Sequence, residues 1–370
     1  MRSMFSKCTS LIELKVNSFD TANVTEMISM FGSCEKLTSL DLSNFNTSQV
    51  IDMQSMFQGC SSLVQLNVSN FDTTNVENMQ SMFAICPLLT ELDVISFDTS
   101  KVTTMRWMFL ECSSLTELDL SNFNTTKVTD MHGMVEKCTS LETLILGKNF
   151  NKVNGTVMFS NTPNLQKVIA LRPATSAADI MTPSGDNGLG GLATRVLYVP
   201  NATTESLYEA NSTYASVLGA DRIEPIMEMN GKNPITVGIN KQYTDAGVNV
   251  LGADESKSGD YTSLGFNVTT SGMPIDTSSI GESTVTYKLT YTNKSGDTTL
   301  VDTQTRTVKV AEVVKLMGRD NVVLMLGAYR ENQKAYKAEQ VSKVIFADKA
   351  PSGATASWDV SENSTGEIMS

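Results

Sequence analysis

Basic charge is scarce in this chain, long apolar runs are missing, and histidine occurs once. Lys and Arg number 28 against 40 Asp and Glu, a net charge of −12, and no run of five basic residues occurs. That balance excludes the phosphate-neutralising surface on which nucleic-acid binding depends. No stretch approaches the ~20 apolar residues that span a bilayer, and an acidic surface is repelled by anionic headgroups, so no membrane insertion is expected. No G-x-S-x-G, P-loop, dinucleotide-binding or H-E-x-x-H motif is present, and without them we expect no enzyme, no cofactor and no metal site. A leader of basic then apolar residues is missing too: Met1-Arg2-Ser3-Met4-Phe5-Ser6-Lys7-Cys8 is already repeat sequence, so we expect further sequence before it.

What the chain does have is a period. Its six cysteines are Cys8, Cys34, Cys60, Cys86, Cys112 and Cys138, each 26 residues after the last. The same register carries Leu11, Leu37, Leu63, Leu89, Leu115 and Leu141, then Leu14, Leu40, Leu66, Leu92, Leu118 and Leu144, then Val16, Leu42, Val68, Val94, Leu120 and Leu146. This L-x-x-L-x-[LV] pattern reads as the strand of a leucine-rich repeat. Phe19, Phe45, Phe71, Phe97 and Phe123 follow, then pairs such as Asp20-Thr21 and Asn46-Thr47, residue types that form turns and cap helices. Val24, Met27, Met30 and Phe31 come next, a spacing that predicts a short helix with one apolar side. Each unit is thus expected to be strand, turn and helix, stacked so that every rung adds buried area at ~25 cal/mol per Å². At Met158-Phe159, Leu165 and Val168 the register drifts and Thr162 replaces cysteine, as in a terminal unit.

The pattern M-F-x-x-C-x-x-L-x-x-L-x-[LV]-x-x-F-[DN]-T-x-x-V-x-x-M resembles the BspA-type leucine-rich repeats of bacterial surface proteins, over about residues 3–170. The resemblance implies an extracellular, surface-displayed protein that adheres to a host or matrix component, a protein or a glycan.

Several residues invite chemistry. One cysteine per coil suits buried free thiols packing as small hydrophobes, since ladder side chains point the same way while a disulfide needs converging Cβ vectors; zinc sites need clustered cysteines. His132 stands where other units carry Ile28, Gln54, Gln80 and Arg106, which marks an exposed repeat position. Between the core leucines, outward-facing positions hold Glu13, Glu91 and Glu117 beside Asp41, Asp93 and Asp119. Aligned like charges destabilise a sheet, so this acidic stripe is the candidate ligand face, with a cationic partner implied. A face that merely keeps the surface soluble is the competing reading, and Lys15, Asn67 and Ile145 interrupt the column. Neutralising Asp41, Asp93 and Asp119 is expected to weaken binding. Asn-x-Ser/Thr sequons at Asn23, Asn46, Asn124, Asn201, Asn211, Asn267 and Asn293 are largely a by-product of the repeated Asn-Thr turns.

Beyond the array, residues 171–228 lose the period. Gly185, Gly188, Gly190 and Gly191 precede Val196-Leu197-Tyr198-Val199-Pro200, and Tyr208, Tyr214 and Ile223-Glu224-Pro225-Ile226 follow; we expect a C-terminal cap. Residues 229–312 alternate in short runs, from Tyr243-Thr244-Asp245-Ala246-Gly247-Val248 to Arg306-Thr307-Val308-Lys309-Val310. These segments resemble bacterial immunoglobulin-like domains, which implies an all-β sandwich acting as spacer; Asp245 or Asp260 could serve a calcium ion. Residues 313–370, with Val341-Ser342-Lys343-Val344-Ile345-Phe346 and Ala356-Ser357-Trp358-Asp359-Val360-Ser361, read as an incomplete module that starts a second array. The fold class expected is therefore an α/β leucine-rich-repeat solenoid over 1–170 followed by an immunoglobulin-like sandwich. The function expected is surface binding, with a structural stalk or the non-catalytic region of a secreted enzyme as alternatives.

Overall fold

The structure, a computed structural model, describes residues 1–150, 158–177, 179–180, 195–211, 223–251, 253–254, 260–311, 313–314 and 324–325. They divide into two compact units: Met1–Glu228 with Asn249–Asn267 and Leu289–Asp302, and Met229–Val248 with Val268–Lys288 and Thr303–Ser370.

The repeat is a β-solenoid, which corrects the α/β leucine-rich-repeat expectation. Among the described residues no rung contains a helix. The segment expected to be helical is a double turn, and its backbone bonds show why. Met27, Ser29, Phe31 and Ser33 donate their amides to the carbonyls of Asp52, Gln54, Met56 and Gln58 in the next rung, at 2.9, 2.8, 2.9 and 2.6 Å. The amides of Met30 and Gly32 close i to i−3 turns on Met27 and Ser29. An α-helix would direct every amide to the residue four before it. Two positions per rung also take positive φ: Ser29, Ser55, Ser81 and Trp107 at 50 to 55°, and Ser33, Gly59, Ile85 and Glu111 at 58 to 74°. A right-handed helix cannot continue through either.

We number the rungs one to six by their cysteines, Cys8 to Cys138. Strands occur where L-x-x-L-x-[LV] places them. They are two residues long at β1 (Ser39–Leu40) and β2 (Gln65–Leu66), which pair in parallel. They lengthen to four at β3 (Glu117–Leu120), β4 (Thr143–Leu146) and β5 (Lys167–Ala170). A second parallel ladder of single bridges runs Glu26, Asp52, Asn78, Thr104, Asp130. Beyond the array, β6 (Val196–Val199), helix α1 (Ala202–Glu209) and β7 (Ile223–Pro225) follow. The order β3-β4-β5-β6-β7 is one parallel sheet, so the segment expected to be a cap adds two strands to the solenoid sheet. Leu197, Val199, Tyr208 and Ile223 join the solenoid's own core cluster. The glycines from 185 to 191 and Tyr214 lie outside the described residues.

Inside, identical residues stack on identical residues. Phe5, Phe31, Phe57, Phe83 and Phe109 form a ring column with centroids 5.7 to 5.8 Å apart and planes within 5 to 9°, contacts that add about 0.5–1.5 kcal/mol each to the area they bury. The cysteines are free, and all but Cys8 are buried. From rung two onward each thiol donates to the phenylalanine carbonyl of the rung before, Cys86 to Phe57 at 3.1 Å for example. The Asp-Thr pairs cap turns, not helices. Asp72 Oδ1 accepts the amide of Thr74 at 3.0 Å, while the buried Thr73 hydroxyl donates to the next rung's Asp98 carbonyl at 3.0 Å.

No immunoglobulin-like sandwich is found among the described residues of 229–312. A four-stranded sheet, β12-β13-β14-β9, is built on one long hairpin of β13 (Gly281–Thr292) and β14 (Thr298–Ala311), with β12 (Phe266–Ser271) on one side and β9 (Ile235–Gly238) parallel to β14 on the other. A separate sheet joins only the short β11 (Ala253–Asp254), β10 (Val248–Val250) and β8 (Met227–Met229). These residues also divide between the two compact units, where a sandwich would be one body. Within the second unit, Arg306 is fully buried and bonds Asp245 at 3.0 Å, and Tyr243 and Tyr287 donate their hydroxyls to the same carboxylate. After β14, Val313–Val314 pairs with Leu324–Met325. The strand-like runs expected at 341–346 and 356–361 lie outside the described residues.

Candidate functional site

The solvent side of the solenoid sheet is set by strand alternation: Leu14 and Val16 and their repeats turn inward, so the residues between them turn out. The column at 41, 67, 93 and 119 has a local task. Asp41, Asn67, Asp93 and Asp119 each accept the amide two residues on, from Ser43, Ser69, Ile95 and Ser121, at 2.8 to 3.0 Å. The turn requires an oxygen, which Asn67 supplies as well as aspartate does. The negative charge at 41, 93 and 119 is therefore not explained by the turn.

The six candidate residues divide into two groups. Glu13, Asp41, Glu91 and Asp93 are exposed. Glu13 lies 3.6 Å from Lys15, and Asp41 also accepts from Asn17 at 3.0 Å; the Ser43 amide holds the Asp41 carboxyl below its ordinary range. With Leu14, Ser18 and Ser39 these residues line a shallow depression of about 540 Å³. Exposed Ile12 and Val64 interleave the acids in sequence, at 63% and 43% accessibility, so the face offers apolar contact beside charge.

Glu117 and Asp119 are covered instead. Asp119 is 8% exposed and accepts the hydroxyl of Tyr291 at 2.6 Å, and Lys294 Nζ lies 3.4 Å from Glu117. Burial, then the Asp119 charge, raises Tyr291 well above the usual tyrosine range, so it stays a donor. Nothing in the repeat signals this contact, because its partners are 172 residues apart.

His132 is half-buried, not exposed: its ring meets the edge of Trp107 with centroids 5.9 Å apart. Arg106 lies over that indole at 4.0 Å and pairs with Asp130 at 3.3 Å. Sequence reasoning passed over Trp107, although a tryptophan where Ser29, Ser55 and Ser81 stand in other rungs was a readable signal.

Asp245 is fully engaged by Tyr243, Tyr287, Arg306 and the Gly247 amide, which leaves it no free oxygen for calcium. The side chain of Asp260 lies outside the described residues. Among the described residues no group of three or more His, Cys, Asp or Glu could hold a metal ion, and no helix is long and apolar enough to cross a membrane.

A face of unexplained carboxylates on a 26-residue β-solenoid is what comparison with known proteins has to account for. Residues 1–87 and 64–171 match the family described as Mycoplasma protein of unknown function, DUF285. The two matches overlap and together end one residue after β5, so the similarity to this family spans the repeat array. No curated protein and no solved structure matches the chain.

Proposed function

We propose that the chain is a non-enzymatic binding module of a cell-surface protein, in which the open sheet face of rungs one to four recognises a cationic partner on a host or matrix surface. The observation that carries this reading is the set of exposed carboxylates at Asp41, Glu91 and Asp93, whose charge neither the core nor the Asx turns require. Glu91 and Asp93 stand one rung from Glu117 and Asp119, and adjacent like charges oppose the stacking that holds the rungs, so the charge fits a role outside the fold. The resemblance to surface repeats supports an extracellular location. A spacer role is the second reading, favoured by the way that every rung's inward residues repeat while its outward ones change.

A panel of immobilised glycans and extracellular-matrix proteins, probed with the full chain, separates the two. A binding module retains one class of ligand, more strongly at low salt, because the attraction between exposed charges is screened over about 10 Å at 0.1 M. A spacer retains none.

A further inference from the structure

The tip of the β13–β14 hairpin, Leu289–Asp302, belongs to the same compact unit as the solenoid. It covers rung five, where the part of the face that is open in rungs one to four ends; in rung six the equivalent Thr143 and Ile145 are buried as well. Asp41 and Asp93 are exposed at the position where Asp119 is 8% accessible, and the residues that cover Asp119 are themselves buried, Tyr291 at 3% and Asn293 at 8%. The polar contacts are few: the Tyr291 hydroxyl on Asp119, Lys294 beside Glu117, and the Asn293 amide 3.5 Å from Asn122. The turn that carries them is shaped by its own bonds. Asn293 Oδ1 accepts the Asp297 amide at 2.9 Å and the Ser295 hydroxyl at 2.7 Å.

We propose that this tip is an intramolecular ligand, a strap that occupies rung five of the acidic face and that an external partner must displace to reach it. Thr90-Glu91-Leu92-Asp93 and Thr116-Glu117-Leu118-Asp119 are the same sequence one rung apart, and only the second pair is covered. Displacement would join the two pairs into one acidic strip. The chemistry of the strap, a tyrosine hydroxyl with a lysine ammonium on a tight turn, also names the partner class, a basic protein loop. That last step rests on the binding role proposed above; the strap itself does not.

The test is hydrogen exchange on the full chain, read on peptides covering 117–122 and 289–302. Tyr291→Phe deletes a buried bond to a charged acceptor and should speed exchange in both segments together by about 10-fold, with rungs two and three unchanged. Glu117→Lys and Lys294→Glu should each do the same to a smaller extent, and the double reversal should restore protection. Faster exchange confined to 289–302, or no recovery in the double variant, overturns the strap. For any ligand that the panel retains, the Tyr291→Phe, Lys294→Glu chain should bind severalfold tighter than the parent. Equal affinity removes the competition and leaves the face reading intact, whereas no binding by either chain removes the face reading while the exchange result still decides the strap.

Discussion

Thr73 shows how one side chain ties two rungs. It is 1% exposed and spends its hydroxyl on the Asp98 carbonyl of the next coil, as Thr21, Thr47 and Thr99 do in theirs. Thr73→Val keeps the volume and leaves that carbonyl without its donor, a loss of about 1–3 kcal/mol. The urea midpoint should fall while the slope of the transition stays constant; an unchanged midpoint would mean that water serves the carbonyl equally well. Asp245 carries a different burden. Burial alone would raise its carboxyl, but the hydrogen bonds from Tyr243, Tyr287 and the Gly247 amide and the charge of Arg306 together hold it below its ordinary 3.8. A group whose value is depressed on folding contributes stability that is complete above the unfolded value and is lost as pH falls through the folded one. The second unit should therefore weaken only below about pH 4, and Asp245→Asn should be less stable from the outset and lack that acid step in urea titrations read at each pH. At this scale the core residues were legible because each recurs rung after rung. The positive-φ positions were not: Gly59, Gly133 and Asn161 stand at three of them, but Ser29, Ile85, Glu111 and Trp107 fill others, and these are not the glycine or asparagine that advertises a left-handed turn.

Among the elements, the strand register was readable and the helix was not there. Met27, Met30 and Phe31 are fully buried, as a helical spacing predicts. A pair of tight turns buries the same positions, so the apolar pattern did not distinguish the two. What decides is the destination of the amides, and alternate ones leave the segment for the next rung. The thiols record that stacking. Burial raises Cys86 and Cys138 to about 12, which leaves almost no thiolate at neutral pH. Iodoacetamide at pH 8 should add one adduct to the native chain, at the exposed Cys8, and six after denaturation. More than one adduct under native conditions would mean that the rungs open or that the ladder is not as packed as described.

For the whole molecule, period was the most reliable guide and distance in sequence the least. Twenty-six-residue spacing located the array, and the family match covers the same stretch. Residues 229–312 read locally as one sandwich because their strands alternate properly, yet Leu289–Asp302 packs with the solenoid unit, a pairing that no local pattern encodes. The acidic columns were legible from strand alternation alone. Which of them remain open was not, since it depends on Tyr291 and Lys294. The set to neutralise therefore changes from Asp41, Asp93 and Asp119 to Asp41, Glu91 and Asp93, all of which are exposed.

The most direct measurement is the affinity of the full chain for a ligand retained in the binding panel, compared with that of the Asp41→Asn, Glu91→Gln, Asp93→Asn chain at low and high salt. Removing three exposed charges should lower affinity about 10-fold or more at low salt and flatten its salt dependence, as expected when charge complementarity drives association. Equal affinity and an equal salt slope in the two chains would contradict a recognition role for this face.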